Sequence, residues 1–284
     1  MAAQSSSLRS AEDVRGAIAS ALGIVLSDAH IDSVGVGARN ALWRIRGAGF
    51  DWMARIAQPR AHLDLDVHQE YSAHRAGADA GMAPQIIVAD PERCLLVMQF
   101  VPGVPWSVDD VRARIATLAL RVRVLHELPA PQGLRAFDLV DGVLSLIERV
   151  RGSSASGLDL GELEHRVGTL AKGYRPAERA VFCHNDLHHL NLLGGQPLFI
   201  DWEYAALGDP QMDLAALATY HDFDVRQRAE LLRCYGRDLG MAAFDVACAL
   251  FDALHLAWLV AAGVWDDTPV TRRAVLRARV GLRN

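Results

Sequence analysis

The sequence predicts an α+β fold in which a small antiparallel β-sheet with one helix precedes a larger, mainly helical part. Up to about residue 100, short apolar runs alternate with glycine-containing turns, a pattern typical of strands. From residue 107 onward, apolar residues recur at helical spacing and follow capping residues. We therefore divide the chain into an N-terminal β-rich part, residues 1–100, and a C-terminal helical part, residues 101–284.

The composition is that of a soluble globular protein and gives no sign of nucleic-acid binding. The chain has 284 residues, of which 51% are hydrophobic and 22% charged, with a net charge of −5. An acidic balance argues against a nucleic-acid partner. The segment MAAQSSSLRS lacks the apolar core of a secretory signal, and no apolar run is both long and charge-free enough to span a bilayer. We therefore expect a cytoplasmic protein without a membrane partner.

The N-terminal elements follow from capping residues and apolar runs. Ser10 and Asp13 form a capping box that opens a helix ending near Leu22. An antiparallel meander is predicted next, with a glycine-containing turn between apolar runs at 34–40 and further runs at 41–45 and 52–56. A helix at 68–81 and two strands at 85–88 and 95–100 follow.

The C-terminal part is predicted to be helical on both sides of one polar hairpin. Ser107 and Asp110 form a second capping box, which opens a helix predicted to end near Leu128. Further helices are predicted at 138–150, 158–170, 212–221, 224–235, 242–262 and 271–279.

Between these helices, residues 181–213 (VFCHNDLHHLNLLGGQPLFIDWEYAALGDPQMD) contain the polar residues around which the chain is organised. An apolar strand leads to Asp186, Asn191 opens a hairpin turned by two glycines, and Asp201 ends its second strand. We expect these three side chains to lie close together. Asp186 would accept the proton of an attacking hydroxyl, and the other two offer hard oxygen ligands for Mg²⁺.

The pattern His-x-Asp-(four residues)-Asn, followed by an Ile-Asp strand end, resembles the kinase-like small-molecule phosphotransferases. This superfamily includes the aminoglycoside phosphotransferases, the choline/ethanolamine kinases and the thiamine kinases. The resemblance implies a two-lobed protein kinase-like fold, ATP as phosphate donor and Mg²⁺ as cofactor. It also implies that Asp186 is catalytic, that His184 organises the catalytic loop, and that Asn191 and Asp201 bind the metal.

The resemblance extends to a nucleotide site in the N-terminal part. Arg55 is the only cation on its strand, and the only lysine of the chain is Lys172. Choline kinases commonly use arginine at this place, so the resemblance implies that Arg55 pairs with the phosphates and with Glu70 of the next helix. The predicted nucleotide-binding residues are Gly35, Gly37, Asn40, Arg55, Glu70, Gln99 and Val101.

Acceptor recognition is predicted less directly. Glu203 and Tyr204, just after Asp201, resemble choline and thiamine kinases more than the drug-modifying branch. Aromatic and acidic groups hold cationic alcohols by cation–π and Coulomb attraction, so Trp258 and Trp265 are added as candidates. Packing of both tryptophans in the core remains an equal alternative.

These observations predict an ATP- and Mg²⁺-dependent enzyme that phosphorylates a hydroxyl of a small cationic metabolite such as choline, ethanolamine or thiamine. A related alternative is an aminoglycoside-type resistance kinase. An alternative from another class is a nucleotide-binding regulator without catalysis. We do not expect zinc at His184, His188 and His189, because a loop between strands does not direct such ligands to one metal.

Overall fold

The computed structural model describes residues 10–36, 40–57, 66–151, 159–236 and 240–263. These residues group into two compact units. The first comprises the described residues of Met1–Val104 together with Leu193–Glu203, and the second comprises Pro105–Leu192 and the described residues of Tyr204–Asn284. The helix predicted at 271–279 lies outside the described residues. The functional division at residue 100 stays a prediction.

The first unit is built on a five-stranded antiparallel sheet with strand order β1-β2-β3-β5-β4. Two helices belong to this unit, and a short hairpin of β7 and β8 follows much later in the chain, where the first residue of β7 is counted with the second unit. The bounds are α1 Ala11–Leu22, β1 His30–Val36, β2 Asn40–Gly47, β3 Phe50–Ala57, α2 Val67–Asp79, β4 Ile86–Asp90, β5 Leu95–Gln99, β7 Leu192–Leu193 and β8 Leu198–Phe199.

Local sequence signals account for the ends of α1. The Ser10 side chain accepts from the backbone N–H of Asp13, whose carboxylate accepts from the N–H of Ser10 in return. Gly23 closes the helix in the left-handed conformation, with φ of 66°, which costs glycine little. The apolar face of α1 packs in a core with the buried residues of β2, β3 and β5, so this sheet is rigidly supported on one face.

The second unit is mainly helical, with one small antiparallel sheet of β6 and β9. Its elements are α3 Val108–Ala113, α4 Ile115–Glu127, α5 Leu139–Val150, α6 Leu160–Gly173, β6 Val181–Cys183, β9 Ala206–Gly208, α7 Gln211–Tyr220, α8 Val225–Tyr235 and α9 Met241–Ala261. The antiparallel sheet of the first unit and the helices of the second confirm the predicted fold class.

The single helix predicted from Ser107 to Leu128 is wrong in one respect. The capping box of Ser107 and Asp110 is present, but the helix is interrupted at Arg114, whose φ and ψ are −126° and 31°. The apolar stripe that the sequence predicts continues across the break and is buried throughout, at Val111, Ile115, Leu118, Val122 and Leu125. Because burial follows the stripe and not the backbone hydrogen bonds, periodicity alone does not reveal the interruption.

Helix α9 corrects another expectation. The helix has 21 residues and contains a segment with a mean hydropathy of 1.6. By length and composition alone, it could therefore cross a membrane. The expectation that no such run exists is therefore wrong. However, 56% of that segment is buried inside the protein, and α9 packs against α5, α6 and α7, as a core helix does. One such helix is weak evidence for a membrane span.

Candidate active site

In the first unit, Arg55 is the centre of a buried ion-pair cluster. It lies on β3 between Leu42 of β2 and Leu96 of β5, and only 7% of it is exposed. Its guanidinium binds Glu70 of α2 through Nη2, and Nη1 lies 2.7 Å from Oδ1 of Asp201. A planar guanidinium can serve two carboxylates at once, which a lysine would do less well. One arginine therefore holds two acidic groups in place.

The position of Asp201 is fixed by the residue that follows it. The Trp202 indole is buried and packs on α2, where its nearest carbon would lie 2.6 Å from a Cβ built on Gly77. Its Nε1–H donates to the carbonyl oxygen of Phe199 at 3.1 Å. Asp201 itself has φ of 66°, a conformation uncommon for residues other than glycine. Such backbone strain is concentrated at functional sites.

The other nucleotide-site candidates of this unit lie on the sheet and at the end of β5. Gly35 is exposed beside an irregularity in the β1–β2 pairing, and Asn40 opens β2 opposite Ala57. Gly37 lies outside the described residues. Exposed Gln99 ends β5, and Val101 follows it, half-buried.

Gln99 and Val101 differ in whether their backbone N–H groups are already hydrogen-bonded. The N–H of Gln99 donates to the carbonyl of Gln85 at 2.8 Å, and the N–H of Phe100 donates to Asp51 at 3.0 Å. Among the described residues, the N–H of Val101 has no such acceptor. It is therefore the donor of this segment that remains available to a ligand.

In the second unit, Asp186 lies between donors from two elements. Asn191 donates through Nδ2 to the backbone carbonyl of Asp186 at 2.9 Å and to its Oδ2 at 3.0 Å. His188 Nε2 lies 3.5 Å from the same Oδ2, and the Tyr220 hydroxyl donates to Oδ1 at 3.2 Å. Burial raises the pKa of Asp186, but His188, His184 and the Tyr220 hydroxyl outweigh it and hold the pKa below its ordinary value. The carboxylate is therefore ionised at neutral pH.

A buried chain of hydrogen bonds supports the loop that carries Asp186. Asp213 accepts from the backbone N–H groups of His184 at 2.9 Å and Asn185 at 2.6 Å. His126 holds the same carboxylate through Nε2 at 3.0 Å, and its Nδ1 lies 2.8 Å from the Tyr235 hydroxyl. The fully buried His184 ring accepts from the N–H of Asp186 at 3.3 Å through Nδ1. This arrangement fixes the backbone on which the carboxylate stands.

Two of the four acceptor candidates, Tyr204 and Trp258, are connected to this loop by hydrogen bonds. Asn185, with φ of 67°, donates through Nδ2 to the backbone carbonyl of Tyr204 at 3.0 Å. The Trp258 Nε1–H donates to the Tyr204 hydroxyl at 2.8 Å, and the two rings meet edge to face. Glu203 is half-buried in the first unit, and Trp265 lies outside the described residues.

Two residues next to Asp186 were missed by sequence reasoning. The Tyr220 side chain comes from the last residue of α7, 34 positions along the chain, and no local pattern marks it. His188 stands out in the sequence only as part of a histidine cluster, and its contact with Asp186 follows from the tight turn after it.

Within the described residues, the one group with metal-ligand spacing is His126, Cys183 and Asp213. Both ring nitrogens of that histidine are engaged, and burial raises the pKa of the Cys183 thiol well above its ordinary value. A neutral thiol and an occupied imidazole are poor metal ligands. This group is a structural cluster.

Half-buried His189 of the loop pairs with the fully buried His221. Their ring centroids are 5.6 Å apart, edge to face. The buried Nδ1 of His189 and Nε2 of His221 have no hydrogen-bond partner among the described residues. Burial, with help from neighbouring histidines, lowers the pKa of His221 to about 4, and it lowers that of His189 as well. Both rings are therefore neutral at physiological pH.

The structure thus brings the predicted site residues together in two sets. The first unit joins Arg55, Glu70 and Asp201, and the second joins Asp186, His184 and Asn191. The roles assigned to these residues stay predictions.

Comparison with known proteins gives matches that extend along most of the chain. The model of the phosphotransferase enzyme family matches residues 30–260. A LicA homologue of Metamycoplasma hominis is 31% identical over 98 residues, which cover 33% of this chain and only 39% of that protein.

Two solved structures illustrate the likeness in fold. The choline kinase LicA of Streptococcus pneumoniae has a TM-score of 0.77 at 17% identity, covering 96% of this chain and 97% of the other. A spectinomycin phosphotransferase in complex with ADP and spectinomycin has a TM-score of 0.63 at 13% identity, covering 97% and 95%. At these identities the structural likeness supports the kinase-like fold alone. The family match supplies the identity: the chain belongs to the phosphotransferase enzyme family and is a phosphotransferase, as the sequence predicted.

Proposed function

We propose that this enzyme transfers the γ-phosphate of ATP, with Mg²⁺, to a hydroxyl of a small cationic metabolite. Choline, ethanolamine and thiamine are the acceptors to test first. The observation on which the proposal rests is the environment of Asp186. Its ionised carboxylate contacts Asn191 and His188 through one oxygen, and Asp213 accepts a hydrogen bond from the backbone of the same loop. Such a group can orient an alcohol and take its proton as the oxygen attacks phosphorus.

The metal proposal depends on Asn191 and Asp201. The NH₂ end of the Asn191 amide is tied to Asp186, and its oxygen accepts no hydrogen bond from the described residues. Asp201 already binds a cation, the Arg55 guanidinium, at 2.7 Å. An amide oxygen and a carboxylate are hard ligands that fit Mg²⁺. When bound, the metal would neutralise charge on the phosphates.

The nucleotide proposal depends on groups of the first unit. Arg55 supplies a permanent positive charge for the phosphates, and Glu70 keeps it aligned. The N–H of Val101 is the available donor for the edge of a purine base. Gln99, whose N–H is already used, would contribute at most its carbonyl and side chain. The ADP bound to the spectinomycin phosphotransferase supports a nucleoside phosphate as ligand of this fold.

The acceptor proposal depends on the aromatic groups near Asp186 in the second unit. Tyr204 and Trp258 form an edge-to-face pair joined by a hydrogen bond, and both rings are half-buried. Aromatic rings of this kind attract cations. A choline kinase among the structures of the same fold supports this class of acceptor.

A direct transfer assay tests the proposal. Purified enzyme is incubated with Mg·ATP and a panel of choline, ethanolamine, thiamine and spectinomycin, and phosphorylated product is followed by ³¹P NMR. We expect product with one of the three cationic metabolites, and a loss of about 10³-fold or more in kcat for Asp186→Asn with ATP affinity retained. Phosphorylation of spectinomycin alone would favour the antibiotic-modifying alternative. Binding of Mg·ATP without any product would favour a regulator without catalysis.

A further inference from the structure

The two oxygens of the Asp186 carboxylate have different surroundings. Oδ2 accepts a hydrogen bond from Asn191 Nδ2 at 3.0 Å and lies 3.5 Å from His188 Nε2. Oδ1 has a single donor among the described residues, the Tyr220 hydroxyl at 3.2 Å. A carboxylate oxygen accepts about two hydrogen bonds through its two lone pairs. Oδ2 therefore faces two nitrogen groups, whereas Oδ1 faces one hydroxyl and keeps a lone pair for a further donor.

The Tyr220 hydroxyl is aimed by the packing of its ring. The ring meets His188, Phe251 and His255 edge to face, with centroid distances of 5.5, 5.2 and 5.0 Å. Phe251 and His255 are one turn apart on α9, so they form one wall against the ring. A side chain held on several sides keeps its hydroxyl in one direction, and through it the plane of the carboxylate.

Resting on the proposed function, we propose that Oδ1 of Asp186 is the atom that receives the acceptor's proton, and that Tyr220 is a positioning residue that orients it. In the transfer step the acceptor O–H bond breaks and its proton goes to Oδ1. The acceptor oxygen forms a bond to the γ-phosphorus, and the bond from that phosphorus to the bridging oxygen breaks, so that ADP leaves with the electron pair.

The inference makes a kinetic prediction that a merely structural role would not. Tyr220→Phe keeps the ring and its contacts but removes the hydroxyl, so the carboxylate can rotate away from the attack direction. We expect kcat for the best acceptor of the panel to fall about 10- to 100-fold, while KM for ATP and for that acceptor changes less than about twofold.

Tyr174→Phe is the matched control. It removes a hydroxyl that donates to another carboxylate, that of Asp209, at 2.7 Å. We expect its kcat to stay within about twofold of wild type. The melting temperature of each variant, followed by circular dichroism, checks that the fold is retained. A second variant, Tyr220→Leu, removes the ring as well and is expected to lower kcat at least as much as Tyr220→Phe.

The outcomes separate the two proposals. Wild-type activity lost in Asp186→Asn and reduced in Tyr220→Phe at constant KM supports both. Full kcat in Tyr220→Phe, with Asp186→Asn inactive, overturns the role of Tyr220 and leaves the proposed function standing. A raised KM with unchanged kcat also overturns it, because the hydroxyl would then serve binding alone. A wild type without transfer to any acceptor overturns both.

Discussion

The buried ring of His221 predicts a specific dependence of stability on pH. The ring has no exposed surface, and its Nδ1–H donates to the carbonyl of Leu217 at 2.7 Å. Burial lowers its pKa from 6.5 to about 4. In the unfolded chain the ring titrates near 6.5, so between pH 6.5 and 4 the unfolded state binds a proton that the folded state does not. The contribution of the neutral ring to the free energy of unfolding is therefore fully present above pH 6.5 and is lost as the pH falls towards 4.

The magnitude follows from the difference between the two pKa values. One pKa unit corresponds to about 1.4 kcal/mol, so the full loss is about 3 kcal/mol, of which about 2 kcal/mol is lost by pH 5. His221→Asn removes the titration but keeps an N–H that can reach the Leu217 carbonyl. We expect the free energy of unfolding of wild type to fall by about 2 kcal/mol more than that of the variant between pH 7.5 and 5.

Urea denaturation followed by circular dichroism at these two pH values measures the difference directly. All other titrating groups are common to both proteins and cancel in the comparison. Equal losses of unfolding free energy in wild type and His221→Asn would refute the reasoning, because the ring would then be protonated in the folded protein at pH 5.

Three further predictions concern the first unit. Tyr71→Phe removes a buried hydroxyl without a partner among the described residues, so urea denaturation should show unchanged stability or a gain of about 1 kcal/mol; a comparable loss would contradict this. Gly77→Ala places a Cβ 2.6 Å from the Trp202 ring and should destabilise the protein by about 2 kcal/mol. The control Gly16→Ala, which has open space around the new Cβ, should stabilise the protein slightly. Equal effects of these two changes would refute the packing argument. Arg55→Met leaves a buried glutamate without its cation and should lower the unfolding free energy by about 3 to 5 kcal/mol; a loss below 1 kcal/mol would mean that water replaces the guanidinium.

Elements with strong local signals were predictable from the sequence. The capping boxes of Ser10 and Ser107 are present, and the meander and the hairpin after Asn191 fold as expected. These features depend on residues three to ten positions apart. Capping side chains hydrogen-bond to the backbone of their own helix, and turn residues set the pairing of the strands beside them. The break at Arg114 has no such signal, since the apolar stripe continues across it.

The surroundings of the site depend on contacts that are distant in sequence. His126 meets Asp213 across 87 positions, and Tyr220 meets Asp186 across 34. Such pairs arise from the packing of α4, α7 and the loop after β6, which periodicity does not specify. The resemblance in motif supplied the residues proposed for the reaction, whereas the residues proposed to orient them came from contacts in the structure.

The most direct test of the account is the transfer of phosphate from ATP to a cationic alcohol, observed as a new phosphomonoester signal by ³¹P NMR. We expect that signal with wild type in the presence of Mg²⁺, and its disappearance with Asp186→Asn or with chelation of the metal. A phosphomonoester that forms equally well with Asp186→Asn would contradict the account, since the carboxylate assigned to take the proton would not be needed.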